Sequence, residues 1–292
     1  MPFPAQRVGL DLTPHAASPS VRDILAYAAG LGASEPAFLD DARPGGALAL
    51  PFQCVSLEWP VILSLREALA DSLPPAEAQR AVHAVQDSEF HQPIRPGCAL
   101  VTEGRLVSAR RIRAGVLSLV RLTTRDALSG EPVVTSWSSS IYRDVALEGE
   151  EHEIEAPPAL PVDLSAPPLI NAETTIIPIP RDMPHVYSEC ANIWNPIHTE
   201  RAVAIAAGLP DIILHGTATW ALAGLTILRR YGGSDLSRMT RLSGRFSGMV
   251  IPGEPITVRH APAGQPGVIR FEVLAADGQV AVSQGVALIA DA

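Results

Sequence analysis

The chain has 292 residues, with 31 acidic against 22 basic side chains and a formal charge of -9. Hydrophobic residues make up 47% and charged residues 18%, the balance of a globular protein long enough to bury a core without staples. The negative charge repels polyphosphate surfaces at long range and argues against nucleic-acid and membrane-surface partners. It leaves room for a small phosphate held by a local group of arginines. Three scattered cysteines, Cys54, Cys98 and Cys190, have neither metal spacing nor the look of a disulfide framework. The N-terminal stretch lacks an apolar signal core, and no apolar run reaches the length of a membrane span. A cytoplasmic chain with reduced thiols is expected.

In chain order, a helix is predicted over 21–31, ended by Gly30 and Gly32. Residues 55–73 hold the place of a buried helix, but Pro60 should leave it short or broken. Strand-like runs follow at 79–86, 99–112, 115–124 and 132–141, with Ser129-Gly130 as a turn. Acidic residues and proline pairs at 157–158 and 167–168 mark an extended linker. It divides the chain into an N-terminal domain (1–145), a linker (146–171) and a C-terminal domain (172–292).

In the second half, Thr199 is a plausible N-cap for a helix over 200–207, with Gly208 as its stop. A longer helix over 215–231 is apolar on most faces and should be buried. Four strand-like runs come next, at 239–249, 255–260, 268–275 and 280–289. A buried helix wrapped by an antiparallel sheet is the hotdog arrangement. Its recurrence in both halves predicts an α+β double hotdog with a degenerate N-terminal half.

The chemistry concentrates between Tyr187 and Ala223. Asn195 before Pro196 makes a rigid turn that would aim His198, and histidine suits proton transfer near neutral pH. Gly216 opens the long helix, where unpaired amides favour developing negative charge on a closely approaching ligand oxygen. Asn195-Pro196-Ile197-His198, then Ile213-Leu214-His215-Gly216, then Arg245-Phe246 and Val250-Ile251-Pro252-Gly253-Glu254, follow one another in an order that resembles the MaoC-like (R)-specific enoyl-thioester hydratase/dehydratase family. In the first half, residues 27–32 and 83–86 resemble the N-terminal hotdog of its two-domain members.

The resemblance implies His198 as general acid/base, Gly216 as oxyanion donor and Asn195 as a positioning residue, with Tyr187, Ile193, Trp194 and His215 lining the substrate site. It implies a 3-hydroxyacyl or 2-enoyl group on coenzyme A or a carrier protein, the carrier being part of the substrate and no separate cofactor or metal being needed. The sequence departs from the family at one place: Ile193 stands where the family has its catalytic aspartate. The segment also looks one residue longer than usual, which brings Asn192 and Glu189 into consideration. A cyclase or isomerase that does not use water, and a non-catalytic acyl-binding protein, therefore stand beside hydration and dehydration. Two basic groups, Arg110/Arg111/Arg113 and Arg229/Arg230/Arg238/Arg241, are candidates for coenzyme A phosphates, and His83 for a former site in the first half. A homodimer through hotdog edge strands is left open.

Overall fold

A computed structural model describes residues 1–78, 80–164, 169 and 171–291, the side chains of 75 and 76 excepted. Its helices of six residues or more are α1 (Val21–Gly30), α2 (Cys54–Ala68), α3 (Met183–Ala191), α4 (Arg201–Ala206) and α5 (Gly216–Tyr231). Its longer strands are β1 (Ala81–Phe90), β2 (Leu100–Ile112), β3 (Gly115–Asp126), β4 (Pro132–Arg143), β5 (Glu173–Ile177), β6 (Met239–Phe246), β7 (Ile256–Pro262), β8 (Val268–Leu274) and β9 (Val280–Ile289). The chain folds as two compact units, each discontinuous in sequence.

The first unit comprises Met1–Ala17, Leu57–His91 and Ala99–Ala159. Its antiparallel sheet runs in the order His15–Ala17, β2, β3, β4, β1. Most of α2 belongs here. Leu57, Val61 and Leu65 recur every fourth residue and are buried, so they share one helix face. Val61 and Leu65, with Leu69 and Leu73 beyond the helix end, enter one core with Leu106, Val120, Leu122 and Tyr142.

Pro60 does not break α2, which continues for 15 residues through it. An interior proline costs a helix about 3 kcal/mol, and the burial of each large aliphatic residue returns about 1.5–3 kcal/mol. Three such residues outweigh one proline. The predicted linker begins with paired backbone: Leu147–Glu148 runs parallel to Phe3–Pro4, and His152–Glu153 adds to β2. The proline pair 167–168 and the first residue of the strand predicted at 79 lie outside the described residues.

The second unit comprises Ser18–Ser56, Gln92–Cys98 and Leu160–Ala292. Its sheet is antiparallel in the order β6, β9, β8, β7, β5, and α5 packs on β6, β7, β8 and β9. From Ala218 to Leu228 every residue of α5 is buried, as its apolar composition requires. The helix α1, from the first half of the sequence, lies against α3 in this unit. Each unit thus presents one long helix to an antiparallel sheet, and the architecture is a double hotdog of the α+β class. Among the described residues no helix is long and apolar enough to cross a membrane.

Candidate active site

The site is built by the second unit's own segments. The helix α3 is absent from the sequence prediction, although Pro184 in its first turn is a helix-start signal. It stops at Asn192, whose φ of 54° is left-handed, a conformation that asparagine tolerates better than most residues. The amide of Ile193 then turns back to the Ser188 carbonyl at 3.0 Å, and the Ile193 side chain goes inward, 5% exposed.

Asn195 opens the next turn. Its carbonyl accepts from the His198 amide at 3.0 Å, and Pro196 occupies the first position of the turn Pro196–His198. The Asn195 side chain forms no capping hydrogen bond; the backbone and the proline ring set this turn. Glu200, rather than Thr199, stands at the N-cap of α4.

His198 is anchored at Nδ1, which lies 2.8 Å from the Ile213 carbonyl. A carbonyl only accepts, so Nδ1 carries the proton and Nε2 presents a lone pair. Burial pushes the His198 pKa down to about 4, the Ile213 carbonyl opposing. The carbonyl in turn is held by chain geometry, because the next residue, Leu214, donates its amide to Val250 at 2.8 Å.

His215 is the N-cap residue of α5 and makes no side-chain capping bond. Its ring is 2% exposed and stacks on His198 with centroids 3.7 Å apart at 24°. Its Nε2 is 3.1 Å from Ser188 Oγ. Burial, then the neighbouring His198, push its pKa down to about 2, with the Ile193 carbonyl weakly opposing. Two stacked imidazoles therefore stand neutral at the entrance to the helix.

Gly216 follows as the first residue of α5, and its amide has no carbonyl four residues back within the helix. A Cβ here would come within 3.0–3.3 Å of the Phe246 ring, which would have to shift by a few tenths of an ångström to admit it. Tyr187 is fully buried and tilts against His215 at 5.0 Å between ring centroids. Its hydroxyl donates to Thr217 Oγ1 at 3.2 Å and lies 3.4 Å from that of Tyr27. Burial raises its pKa to about 12. Ser188 and Thr217 were not singled out in the sequence, and Tyr27 stood there only as part of the run 27–32; all three join the site through these contacts.

The other candidates take no part in these contacts. Trp194 is 56% exposed and its indole donates to Glu189 at 3.1 Å, while Asn192 is exposed at the helix end. Most members of the two basic groups are engaged. Arg110 pairs with Glu153 at 3.8 Å and Arg111 donates to the Gly149 carbonyl. Arg229 pairs with Glu35, Arg230 binds Glu173 with two hydrogen bonds, and Arg238 donates to the Ala290 carbonyl. His83 belongs to the first unit, 3.0 Å from both Ser138 Oγ and the Val85 carbonyl.

Comparison with known proteins agrees with this layout. The family model described as MaoC like domain matches residues 174–277, and the one described as FAS1-like, dehydratase domain region, matches residues 6–136. The chain is 27% identical over 264 residues to 3-hydroxyacyl-thioester dehydratase Y of Mycobacterium tuberculosis, covering 88% of this chain and 87% of that one. It is 26% identical over 209 residues to the probable enoyl-CoA hydratase 2 of Dictyostelium discoideum, covering 71% and 69%. The crystal structure of a MaoC-like dehydratase from Phytophthora capsici superimposes with a TM-score of 0.84 over 98% of both chains at 21% identity, a likeness of fold. The fold, the motif order and the family match agree, and the chain carries a MaoC-like domain at residues 174–277.

Proposed function

We propose that the chain is a hydratase/dehydratase acting on a 3-hydroxyacyl or 2-enoyl thioester of coenzyme A or an acyl carrier protein. The observation that carries this reading is the His198 Nδ1 bond to the Ile213 carbonyl, which leaves Nε2 as a neutral base beside the free amide of a helix start. The names of the Dictyostelium and Mycobacterium relatives support the substrate class.

In the dehydration direction His198 Nε2 takes the proton alpha to the thioester carbonyl. The C–H electron pair moves to the carbonyl oxygen, and the Gly216 amide stabilises the enolate. The enolate then collapses to the alkene and expels the beta-hydroxyl, which leaves as water with the proton returned by the imidazolium. One imidazole serves both proton transfers if both groups depart from the same face. Ile193 carries no proton and cannot share that work.

His198→Ala is expected to lower turnover of 3-hydroxyacyl-CoA about 10²–10⁴-fold, read from the ultraviolet absorbance of the enoyl thioester. Unchanged turnover sinks the proposal. The buried Ile193 supports a second reading, an isomerase or cyclase in which His198 moves a proton and no water adds. Ile193→Asp separates the two: a gain in hydration of crotonyl-CoA favours the hydratase lineage, and no gain favours chemistry without water.

A further inference from the structure

We infer that the Thr217 hydroxyl is a second donor to the thioester carbonyl oxygen, paired with the Gly216 amide and oriented by Tyr187; this rests on the acyl-thioester reading above. The argument follows the direction of each hydrogen bond. Tyr27 gives its proton to the Phe52 carbonyl at 2.9 Å. Tyr187 gives its proton to Thr217 Oγ1 at 3.2 Å. Thr217 therefore accepts, and its own proton is still to be placed.

A helical threonine ordinarily returns that proton to the carbonyl four residues back. Thr219 does so to His215 at 3.2 Å, and Thr226 to Leu222 at 2.9 Å. Thr217 is the second residue of α5, so the residue four back, Ile213, precedes the helix and offers it no helical carbonyl. Among the described residues no acceptor takes the Thr217 proton. A hydroxyl with a proton to give thus stands one residue past Gly216, on a partly exposed side chain at the open end of α5. Accepting from Tyr187 polarises the Thr217 O–H and strengthens it as a donor.

An oxygen that gains charge only when the alpha proton leaves is stabilised most in the transition state, so the contribution falls on kcat. Thr217→Val keeps the shape and removes the proton; its kcat is expected to fall about 10²-fold with KM nearly unchanged. Thr217→Ser keeps the hydroxyl and is expected to stay within several-fold of the parent. Tyr187→Phe, which removes only the orienting bond, is expected to give a smaller loss in kcat. An isotope-edited infrared spectrum of bound crotonyl-CoA reads the contact directly: the downward shift of the thioester carbonyl stretch should shrink in Thr217→Val.

Parent-like kcat and carbonyl shift in Thr217→Val overturn the inference. So do equal losses in the Val and Ser variants, which would assign a packing role. If His198→Ala is inactive while Thr217→Val matches the parent, this inference alone falls. If the parent neither binds nor converts any 3-hydroxyacyl or enoyl thioester, both readings fall.

Discussion

At the scale of single residues, the Ile213 carbonyl holds His198 in the tautomer with a free Nε2. The expected pH dependence of activity follows from this. A base works unprotonated, and burial pushes the His198 pKa down to about 4. Dehydration measured as kcat/KM should then stay level from neutral pH down to about 5 and fall only as pH approaches 4, because protonation removes the lone pair. An acid limb centred on 6.5 would show that the ring is solvated in solution. Ile193→Asp belongs to the same scale. The side chain it replaces is 5% exposed, so besides the test of chemistry the variant is expected to lose about 1–3 kcal/mol of stability in urea denaturation. Parent-like stability would show that solvent reaches position 193.

At the scale of elements, α5 organises the second unit, and its fit against neighbours is tight. A Cβ on Gly224 would lie 2.4 Å from a Phe52 ring carbon and 2.6 Å from Leu242 Cδ2. Gly224→Ala is expected to cost about 1–3 kcal/mol through overpacking, seen as a lower urea midpoint; a stabilised variant would refute this packing. Most of the sheet was legible in the sequence. The strand at Val280–Ile289 has the predicted ends and the other predicted strands differ by a few residues, as β1 does in running on to Phe90, while the edge strand β5 (Glu173–Ile177) was not predicted. The helices read less well. Pro60 suggested a break in α2 because proline's local penalty is visible in sequence, whereas the burial of Val61 and Leu65 is not. The helix α3 was hidden inside a motif read for its chemistry, and with it the route by which Tyr187 and Ser188 reach the site. His198, His215 and Gly216 were legible as spaced motifs. Thr217 was not, since its open proton depends on the bond from Tyr187 and on its place in the first turn of α5, neither of which motif spacing reveals.

At the scale of the whole molecule, histidines held neutral in both units link stability to pH. The folded-state values of His83 and His198 are pushed down to about 4 and that of His215 to about 2, burial being the main cause for each. Unfolded histidine has a pKa near 6.5. Below that pH the unfolded chain takes up protons that the folded chain refuses, so this stability is present above 6.5 and is lost as pH falls toward 4. The urea midpoint should therefore drop between about pH 7.5 and pH 5, and a flat profile would contradict the burial of these rings.

The strand order of the second unit also bears on how the protein is made. The strand Val280–Ile289 is the last of its five to leave the ribosome, yet it lies between β6 and β8 rather than at an edge. Until it emerges, the nascent sheet has a gap next to the strand that carries Phe246, and the apolar faces of α5 stay uncovered. The second unit thus cannot close its sheet until residues 280–289 have emerged, and until then its unpaired strand edges and apolar faces are open to aggregation.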